Sequence, residues 1–153
     1  MAVWHYTVGI RYQLIERDGV IKPATAFVPQ GEKPIVWFSL NQQWEKTADK
    51  SVKDEDGTLR HLNTAETAEV GGGLVRIGVA PETAPHDWKT LRELSGMTSA
   101  MAQGMYHAAI DKGARPGEWR GTFQAVPRSK WTAIEIFENG EWVPQAAAQK
   151  GKG

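Results

Sequence analysis

The sequence contains no cysteine, and its 18 basic and 18 acidic side chains cancel. Without cysteine the chain cannot form a disulfide scaffold, a thiolate zinc site, an iron–sulfur cluster or a cysteine nucleophile. Without net charge it has no overall field that would attract nucleic acid or a membrane, although a local patch remains an option. No apolar run approaches the roughly 20 residues of a membrane span, and Met1–Tyr6 lacks the pattern of a signal peptide. We therefore expect a cytoplasmic protein without a membrane partner.

Sequence motifs of several common enzyme sites are also missing. There is no P-loop pattern, and the glycine run 71–73 precedes a predicted strand instead of opening a helix, which excludes a doubly wound dinucleotide fold. Ser95 lacks the GxSxG spacing of a nucleophile elbow. The four histidines share no metal-binding spacing; they are His5, His61, His86 and His107. We therefore expect no metal site.

The pattern of apolar and turn-forming residues predicts one α+β domain over residues 1–144 and a flexible tail at 145–153. Strands and helices alternate irregularly, which favours a mixed, twisted sheet with a few short helices over a repeating βαβ fold. Strands are predicted at 3–7, 35–39, 74–79, 119–126, 131–138 and 141–143, the last two joined by an Asn-Gly turn. Helices are predicted at 10–17, between Asp87 and Gly96, and at 98–112. The apolar run before Ser39 predicts a central strand in which Trp37 and Phe38 are buried.

The stretch 41–69 is polar and carries many charges. It shows no apolar periodicity, apart from a helical turn predicted at 42–49. Irregular segments of this length inside a compact domain are usually functional or mobile. We therefore expect 41–69 to be more mobile than the rest of the domain.

Aromatic residues are the most unusual feature of the composition. The chain has seven tryptophans, which are explained either by packing or by a pocket for a flat ligand. In the last third, basic and aromatic residues interleave: Arg115, Arg120, Arg128 and Lys130 with Trp119, Phe123 and Trp131. Such a cluster suits the stacking of unpaired bases. The alternative is that long basic side chains lie over aromatic rings on a twisted sheet.

A group of polar side chains near the N-terminus is the main candidate for a ligand site. Strand alternation places His5 and Thr7 on the same face, and Ser39 ends the central strand. Imidazole and hydroxyl groups can hydrogen-bond ribose hydroxyls or an amide without a fixed charge. We expect these three side chains to converge at one rim of the sheet, with a stacking ring from Tyr12 or Trp44. The alternative is that His5 is a buried structural group.

The spacing of several residues in the first forty resembles the start of the ADP-ribosyltransferase fold. The positions that carry the resemblance are His5, Tyr6, Thr7, Ile15, Gly19, Phe38 and Ser39. The pattern is most similar to that of bacterial toxin-type members and, more remotely, to that of the RNA 2′-phosphotransferases. The resemblance implies an ADP-ribosyltransferase-like fold and NAD as a substrate. It also implies that His5 and a neighbouring hydroxyl hold the ribose and nicotinamide portion of NAD.

The same resemblance implies a glutamate on a C-terminal strand that stabilises the oxocarbenium-like centre or activates the acceptor. Glu118 and Glu135 are the candidates for this catalytic role. Positive charge develops on the anomeric carbon as nicotinamide leaves, so a carboxylate there is physically reasonable. The implied acceptor is a nucleic acid or a protein.

Three functions therefore stay open from the sequence. The first is an NAD-dependent ADP-ribosyltransferase-like enzyme that modifies a macromolecule. The second is a catalytically inactive binding module of the same fold. The third is a small protein that binds single-stranded nucleic acid through its arginines and tryptophans, which requires an exposed Trp119 or Trp131.

Overall fold

The computed structural model describes residues 1–25 and 28–145, which form eleven strands and four α-helices. The strands are β1 (Val3–Val8), β2 (Val20–Ile21), β3 (Val36–Ser39), β4 (Ser51–Lys53), β5 (Leu59–His61), β6 (Leu74–Val79), β7 (His86–Asp87), β8 (Trp119–Thr122), β9 (Val126–Pro127), β10 (Trp131–Glu138) and β11 (Glu141–Pro144). The helices are α1 (Gly9–Asp18), α2 (Thr64–Gly71), α3 (Trp88–Ser95) and α4 (Ser99–Lys112). The predicted flexible tail, 145–153, lies outside the described residues except for Gln145.

The predicted α+β class is confirmed. Seven strands form the main sheet in the order β11-β10-β6-β1-β3-β8-β7. All pairings described within it are antiparallel, whereas a mixed sheet was expected. The predicted strand 119–126 divides into β8, which joins the main sheet, and β9, which pairs with β2. The central position of β3 agrees with the apolar run that predicted it.

Turn and capping residues account for where the elements begin and end. Asn139 and Gly140 both adopt positive φ angles, 52° and 81°, as a two-residue type I′ hairpin turn between β10 and β11 requires. Asp87 accepts a hydrogen bond from the backbone N–H of Thr90 and so begins α3 as predicted. The helices at 88–95 and 99–112 both end at a glycine in the left-handed conformation.

The main sheet presents two chemically different faces. One face carries the buried aliphatic residues of β1, β3 and β6, including Val3, Phe38 and Ile77, and α1 covers it with Tyr12. Because side chains alternate along a strand, the opposite face receives Trp4, Tyr6, Arg76, Ser39 and Trp119. The first face is the main apolar core. The second face is aromatic and polar, and it forms one side of the cavity described below.

The predicted burial of the central strand holds for one of its two aromatic residues. Phe38 lies in the core with 3% of its surface exposed. Trp37 is only half-buried, because alternation turns it to the opposite face, where it meets Trp88 and Trp119.

The stretch 41–69 is more regular than the sequence predicted. It contains a short 3₁₀ turn at Lys46–Ala48, the hairpin of β4 and β5, and helix α2. Asn63 and Glu66 form a capping box at the start of α2, which is a sequence pattern that could have revealed this helix.

Among the described residues, no helix has the length and apolar character that crossing a membrane requires. Nor do the described ranges hold a group of three or more histidine and acidic side chains placed to bind a metal ion.

Candidate functional site

A cavity of about 400 Å³ lies between the aromatic and polar face of the sheet and helix α4. Its sheet side is lined by Trp4, Tyr6, Trp37 and Trp119, and α4 contributes Met105 and Ala109. Small-molecule sites are usually concave and mostly apolar, with volumes of about 300 to 1,000 Å³ and a few polar groups that set orientation. This cavity therefore has the size and lining of a site for a flat organic ligand.

Glu45 is a buried carboxylate in the wall of this cavity, with 8% of its surface exposed. Its Oε1 atom accepts a hydrogen bond from Ser39 Oγ at 2.9 Å. Its Oε2 atom accepts from Thr47 Oγ1 at 2.5 Å, from the Thr47 backbone N–H at 3.2 Å and from Trp119 Nε1 at 3.3 Å. A buried carboxylate is costly unless it is hydrogen-bonded, and four donors satisfy this one.

The hydrogen bonds of Glu45 also fix the Ser39 hydroxyl. Ser39 donates its only proton to Glu45, and its oxygen accepts a hydrogen bond from the Asn41 backbone N–H at 3.1 Å. A hydroxyl has one donor and two acceptor sites. The Ser39 oxygen can therefore only accept a further hydrogen bond from a ligand.

His5 lines the cavity where β1 and β3 separate. These strands share one register pair, in which Trp4 lies opposite Ser39. Next to this pair, His5 Nδ1 lies 2.7 Å from the carbonyl oxygen of Trp37 and forms a hydrogen bond with it. A carbonyl oxygen only accepts, so Nδ1 carries the proton and donates. Nε2 is then an acceptor whenever the ring is neutral.

The surroundings of His5 favour the neutral ring. Burial lowers the pKa of His5 below its usual value of 6.5, and the positive charge of Arg11 lowers this pKa further. The hydrogen bond to Trp37 acts in the opposite direction but is the smaller effect. The imidazole also packs edge-on against Phe38, with ring centroids 5.7 Å apart. His5 thus presents an uncharged imidazole at neutral pH.

The predicted convergence of His5, Thr7 and Ser39 at one rim is wrong. His5 and Ser39 both line the cavity, but Ser39 lies directly opposite Trp4, so its side chain is on the other face from that of His5. Thr7 does share the face of His5, as predicted, but it is buried and lies outside the cavity lining among the described residues. The error arose because Ser39, read as the end of a strand, gave no indication of which face it occupies.

The two predicted stacking rings also lie elsewhere. Tyr12 belongs to the main core, and its hydroxyl donates to Gln145 Oε1 at 3.0 Å. Trp44 packs edge-on against Tyr6, with centroids 5.2 Å apart, and stacks on Trp142. Neither is among the described residues that line the cavity. The aromatic rings at the cavity come instead from Trp4, Trp37 and Trp119.

Glu135 is held in an ion pair on the same face of the sheet. Arg76 Nη2 and Nε lie 2.5 and 2.8 Å from Glu135 Oε1, and the guanidinium lies between two indole rings, 3.8 Å from the centroid of Trp4 and 4.5 Å from that of Trp142. Arg76 also donates to the carbonyl oxygen of Gln42 at 2.6 Å. This arrangement explains why a carboxylate occurs among apolar residues of β10, and Glu135 is not one of the described cavity-lining residues.

Glu118 lies at the end of a short 3₁₀ turn before β8. Its Oε1 accepts a weak hydrogen bond from Asn41 Nδ2 at 3.4 Å, and its carbonyl oxygen accepts from the Leu40 backbone N–H. It too is absent from the described lining of the cavity.

Segment 41–49, which connects β3 to β4, receives hydrogen bonds from four tryptophan side chains. In each case the indole N–H donates: Trp4 to Gln42 Oε1, Trp44 to Asp49 Oδ1, Trp119 to Glu45 Oε2 and Trp142 to the carbonyl oxygen of Gln43. The distances run from 2.8 to 3.3 Å. The mobility expected for 41–69 stays a prediction, and within that stretch the side chains and carbonyls of segment 41–49 are anchored at several points.

Sequence reasoning missed Glu45 and Lys112, the two charged residues in the described part of the cavity lining. Lys112 comes from the last turn of α4. No local pattern marks Glu45, because two of its partners, Ser39 and Trp119, lie in β3 and β8.

The basic and aromatic cluster of the last third is divided by burial. Trp119 is 4% exposed and faces the cavity, so it offers no open stacking surface. Trp131 keeps part of its ring exposed, packs against the core, and has the Arg128 guanidinium 5.5 Å from its centroid. The nucleic-acid hypothesis requires an exposed Trp119 or Trp131, and of the two only Trp131 is partly accessible.

Comparison of the chain with models of protein families, with curated proteins and with solved structures finds no match in any of the three.

Proposed function

We propose that this protein binds NAD in the cavity between the sheet and α4 and transfers its ADP-ribose unit to a macromolecule. The observation that carries the proposal is the cavity of about 400 Å³ with its aromatic lining, at whose edge lies His5, tied through Nδ1 to Trp37 and with an acceptor at Nε2 when its ring is neutral. A ribose hydroxyl is the natural donor to such an acceptor. The resemblance of the first forty residues to the ADP-ribosyltransferase fold supports the same ligand.

The lining of the cavity suits the two charged parts of NAD. The nicotinamide ring is flat and cationic, and the half-buried indole ring of Trp37 can attract a cation through its face. The pyrophosphate is anionic, and Lys112 supplies a positive charge at the wall formed by α4. Lys112 has no carboxylate partner within the described residues, so its charge is available to a ligand.

The transfer itself requires one bond to break and one to form. The bond between the anomeric carbon and the nicotinamide nitrogen breaks, and its electron pair leaves with nicotinamide. A nucleophilic oxygen or nitrogen of the acceptor, a nucleic acid or a protein, bonds to the anomeric carbon and releases its proton. Glu45 is the carboxylate of the described cavity lining, and its negative charge would stabilise the positive charge that develops at that carbon.

A second candidate is a binding module of the same fold without catalysis. The observation in its favour is that Glu45 already accepts four hydrogen bonds, while Glu135 is paired with Arg76. Carboxylates held in this way keep the neighbouring side chains in place, which is a role that requires no catalysis. Under this candidate NAD binds but nicotinamide is not released.

Isothermal titration calorimetry with NAD tests the binding. We expect wild type to bind NAD and His5→Ala to bind about tenfold more weakly, because one hydrogen bond is lost. His107→Ala is the matched control, since His107 is exposed on α4 and is not part of the described cavity lining. If wild type shows no heat of binding at millimolar NAD, or if the two variants are affected equally, the proposed site is wrong.

Nicotinamide release then separates the two candidates. The protein is incubated with NAD labelled in the adenylate portion, in the presence of single-stranded DNA, RNA or a mixture of proteins. Label on one of these acceptors, with equimolar nicotinamide, supports transfer. NAD binding without release of nicotinamide, whichever acceptor is present, supports the binding module.

A further inference from the structure

A second cavity, of about 430 Å³, lies at the other end of β8 from the cavity described above. Trp119 at the start of β8 lines the first cavity, Thr122 at the end of this strand lines the second, and the two share no described lining residue. We propose that the second cavity binds a saccharide, whose pyranose ring packs on Phe123 while its hydroxyl groups bond the polar side chains around that ring. This site is separate from the proposed NAD site and does not depend on it.

Short pieces of regular backbone form the walls of the second cavity. On one side a 3₁₀ turn, Pro81–Thr83, leads to β7, which pairs with β8. On the other side β9 pairs with β2 and continues into a 3₁₀ turn at Arg128–Lys130. The lining residues Thr122 and Val126 are buried. A cavity with paired backbone in its walls needs little rearrangement to accept a ligand, which lowers the entropic cost of binding.

Several polar side chains line this cavity without a protein partner in the described part of the chain. None of them takes part through its side chain in a described hydrogen bond or ion pair; they are Glu82, Thr83, His86, Gln124 and Lys130. Glu82 offers acceptors, Lys130 offers donors, and hydroxyl and amide groups offer both. Each hydroxyl of a sugar is likewise a donor and an acceptor. The mixed lining therefore matches a ligand that carries several hydroxyl groups.

Phe123 supplies an apolar surface among these polar groups. Its ring is half-buried and lies beside the imidazole of His86, with ring centroids 5.7 Å apart and an angle of 45° between the ring planes. A pyranose ring presents C–H groups on its faces, and an aromatic ring is a large apolar surface against which they can pack. A sugar needs both kinds of contact at once, and this cavity offers both.

The charges of the lining favour a neutral ligand. Glu82 and Lys130 contribute one charge of each sign, and both are exposed, so that water and salt screen them. An anionic ligand would be attracted by Lys130 but repelled by Glu82, and a cationic ligand the reverse. A neutral sugar avoids this conflict and can still form a charge-assisted hydrogen bond with each of the two side chains.

Titration of isotope-labelled protein with methyl pyranosides tests the site by heteronuclear NMR. The probes are the methyl glycosides of glucose, galactose and N-acetylglucosamine. We expect at least one of them to shift the amide signals of Gln124 and Val126 and to leave those of Met105 and Lys112, in the first cavity, unchanged. Sorbitol is the control ligand, because it has the hydroxyl groups but no ring. Absence of shifts with every glycoside, or an equal response to sorbitol, overturns the proposal.

Phe123→Leu and Phe137→Leu form a matched pair of variants. Both replace an aromatic ring by an apolar side chain, but Phe137 lies on β10 and is not among the described residues that line the second cavity. We expect Phe123→Leu to bind the glycoside at least about fivefold more weakly and Phe137→Leu to bind it as wild type does. Unchanged affinity in Phe123→Leu would show that the ring is not part of a sugar site and would overturn the proposal.

Gln124→Ala serves if Phe123→Leu does not fold, as judged by circular dichroism. Gln124 is exposed, so its truncation should leave the fold intact. Gln103→Ala is the control, because Gln103 is also exposed but lies on α4. We expect only Gln124→Ala to weaken glycoside binding, and equal affinity of the two variants would overturn the proposal.

Discussion

The Nδ1 atom of His5 lies 2.7 Å from the carbonyl oxygen of Trp37, and this contact fixes which ring nitrogen carries the proton. The contact bridges two strands that share a single register pair nearby. It therefore gives His5 a structural role as well as a position at the cavity. Burial disfavours the charged ring and makes the fold sensitive to acid, and the contact with Trp37 only partly offsets this effect.

The first prediction concerns pH. The pKa of His5 is lowered in the folded protein relative to 6.5, so the unfolded chain binds the proton more readily. The stability that this adds is present above about pH 6.5 and is lost as the pH falls below that value toward the folded pKa. His5→Asn can keep a donor to Trp37 but does not titrate. Its melting temperature should therefore fall less than that of wild type when the pH is lowered from about 7.5 to about 5.5. An equal fall in both proteins would contradict the lowered pKa of His5.

The second prediction concerns the core. Phe38 is buried on the aliphatic face of the sheet, and Phe38→Ala is expected to cost about 3–5 kcal/mol of the free energy of unfolding. Phe137→Ala is the control, because Phe137 is 42% exposed and its truncation should cost about 1 kcal/mol or less. Urea denaturation measures both. Equal costs would place Phe38 outside the core.

The third prediction concerns the ion pair of Arg76 and Glu135. Arg76→Ala leaves the Glu135 carboxylate without its partner and is expected to cost about 3–5 kcal/mol. Arg60 bonds Asp54 and Glu66 at 3.5 Å on the surface, and Arg60→Ala should cost less than about 1 kcal/mol. Thermal denaturation of the two variants compares them. A small loss in Arg76→Ala would mean that the Arg76 cluster contributes little to the fold.

The fourth prediction concerns limited proteolysis. Lys53 and Arg60 lie in the hairpin of β4 and β5, which pairs only with itself within the described chain, whereas Lys46 lies in the anchored segment 41–49. Cleavage requires local opening of the backbone, and regions with few buried contacts open most easily. Trypsin should therefore cut after Lys53 or Arg60 before it cuts after Lys46. Mass spectrometry of the early fragments identifies the first cleavage site. Cleavage after Lys46 before Lys53 and Arg60 would show that the hydrogen bonds of segment 41–49 do not restrain its backbone.

Local signals in the sequence predicted much of the fold. The Asn139-Gly140 turn, the Asp87 cap and the glycine after α4 each act on their immediate neighbours, so their effects can be deduced from a few residues. Helix α2 was missed although Asn63 and Glu66 have the spacing of a capping box, because the surrounding charges were given more weight.

The cavity was harder to predict because its polar groups come from distant parts of the chain. Glu45 receives hydrogen bonds from Ser39, six residues away, and from Trp119, 74 residues away. Glu135 was a catalytic candidate through the resemblance, and nothing local marked its partner Arg76, which lies 59 residues away on a neighbouring strand. Single-sequence patterns report local periodicity, and they do not contain these tertiary pairings.

The indole donors that hold segment 41–49 have a consequence for the order of folding. Trp4, Trp119 and Trp142 reach this segment across 38, 74 and 99 residues of chain. Contacts between such distant residues form late, because the intervening loops must close first. During synthesis, the bond from Trp142 becomes available only when β11 has emerged from the ribosome. We therefore expect segment 41–49 to lack its full set of contacts in a nascent chain until β11 has paired with β10.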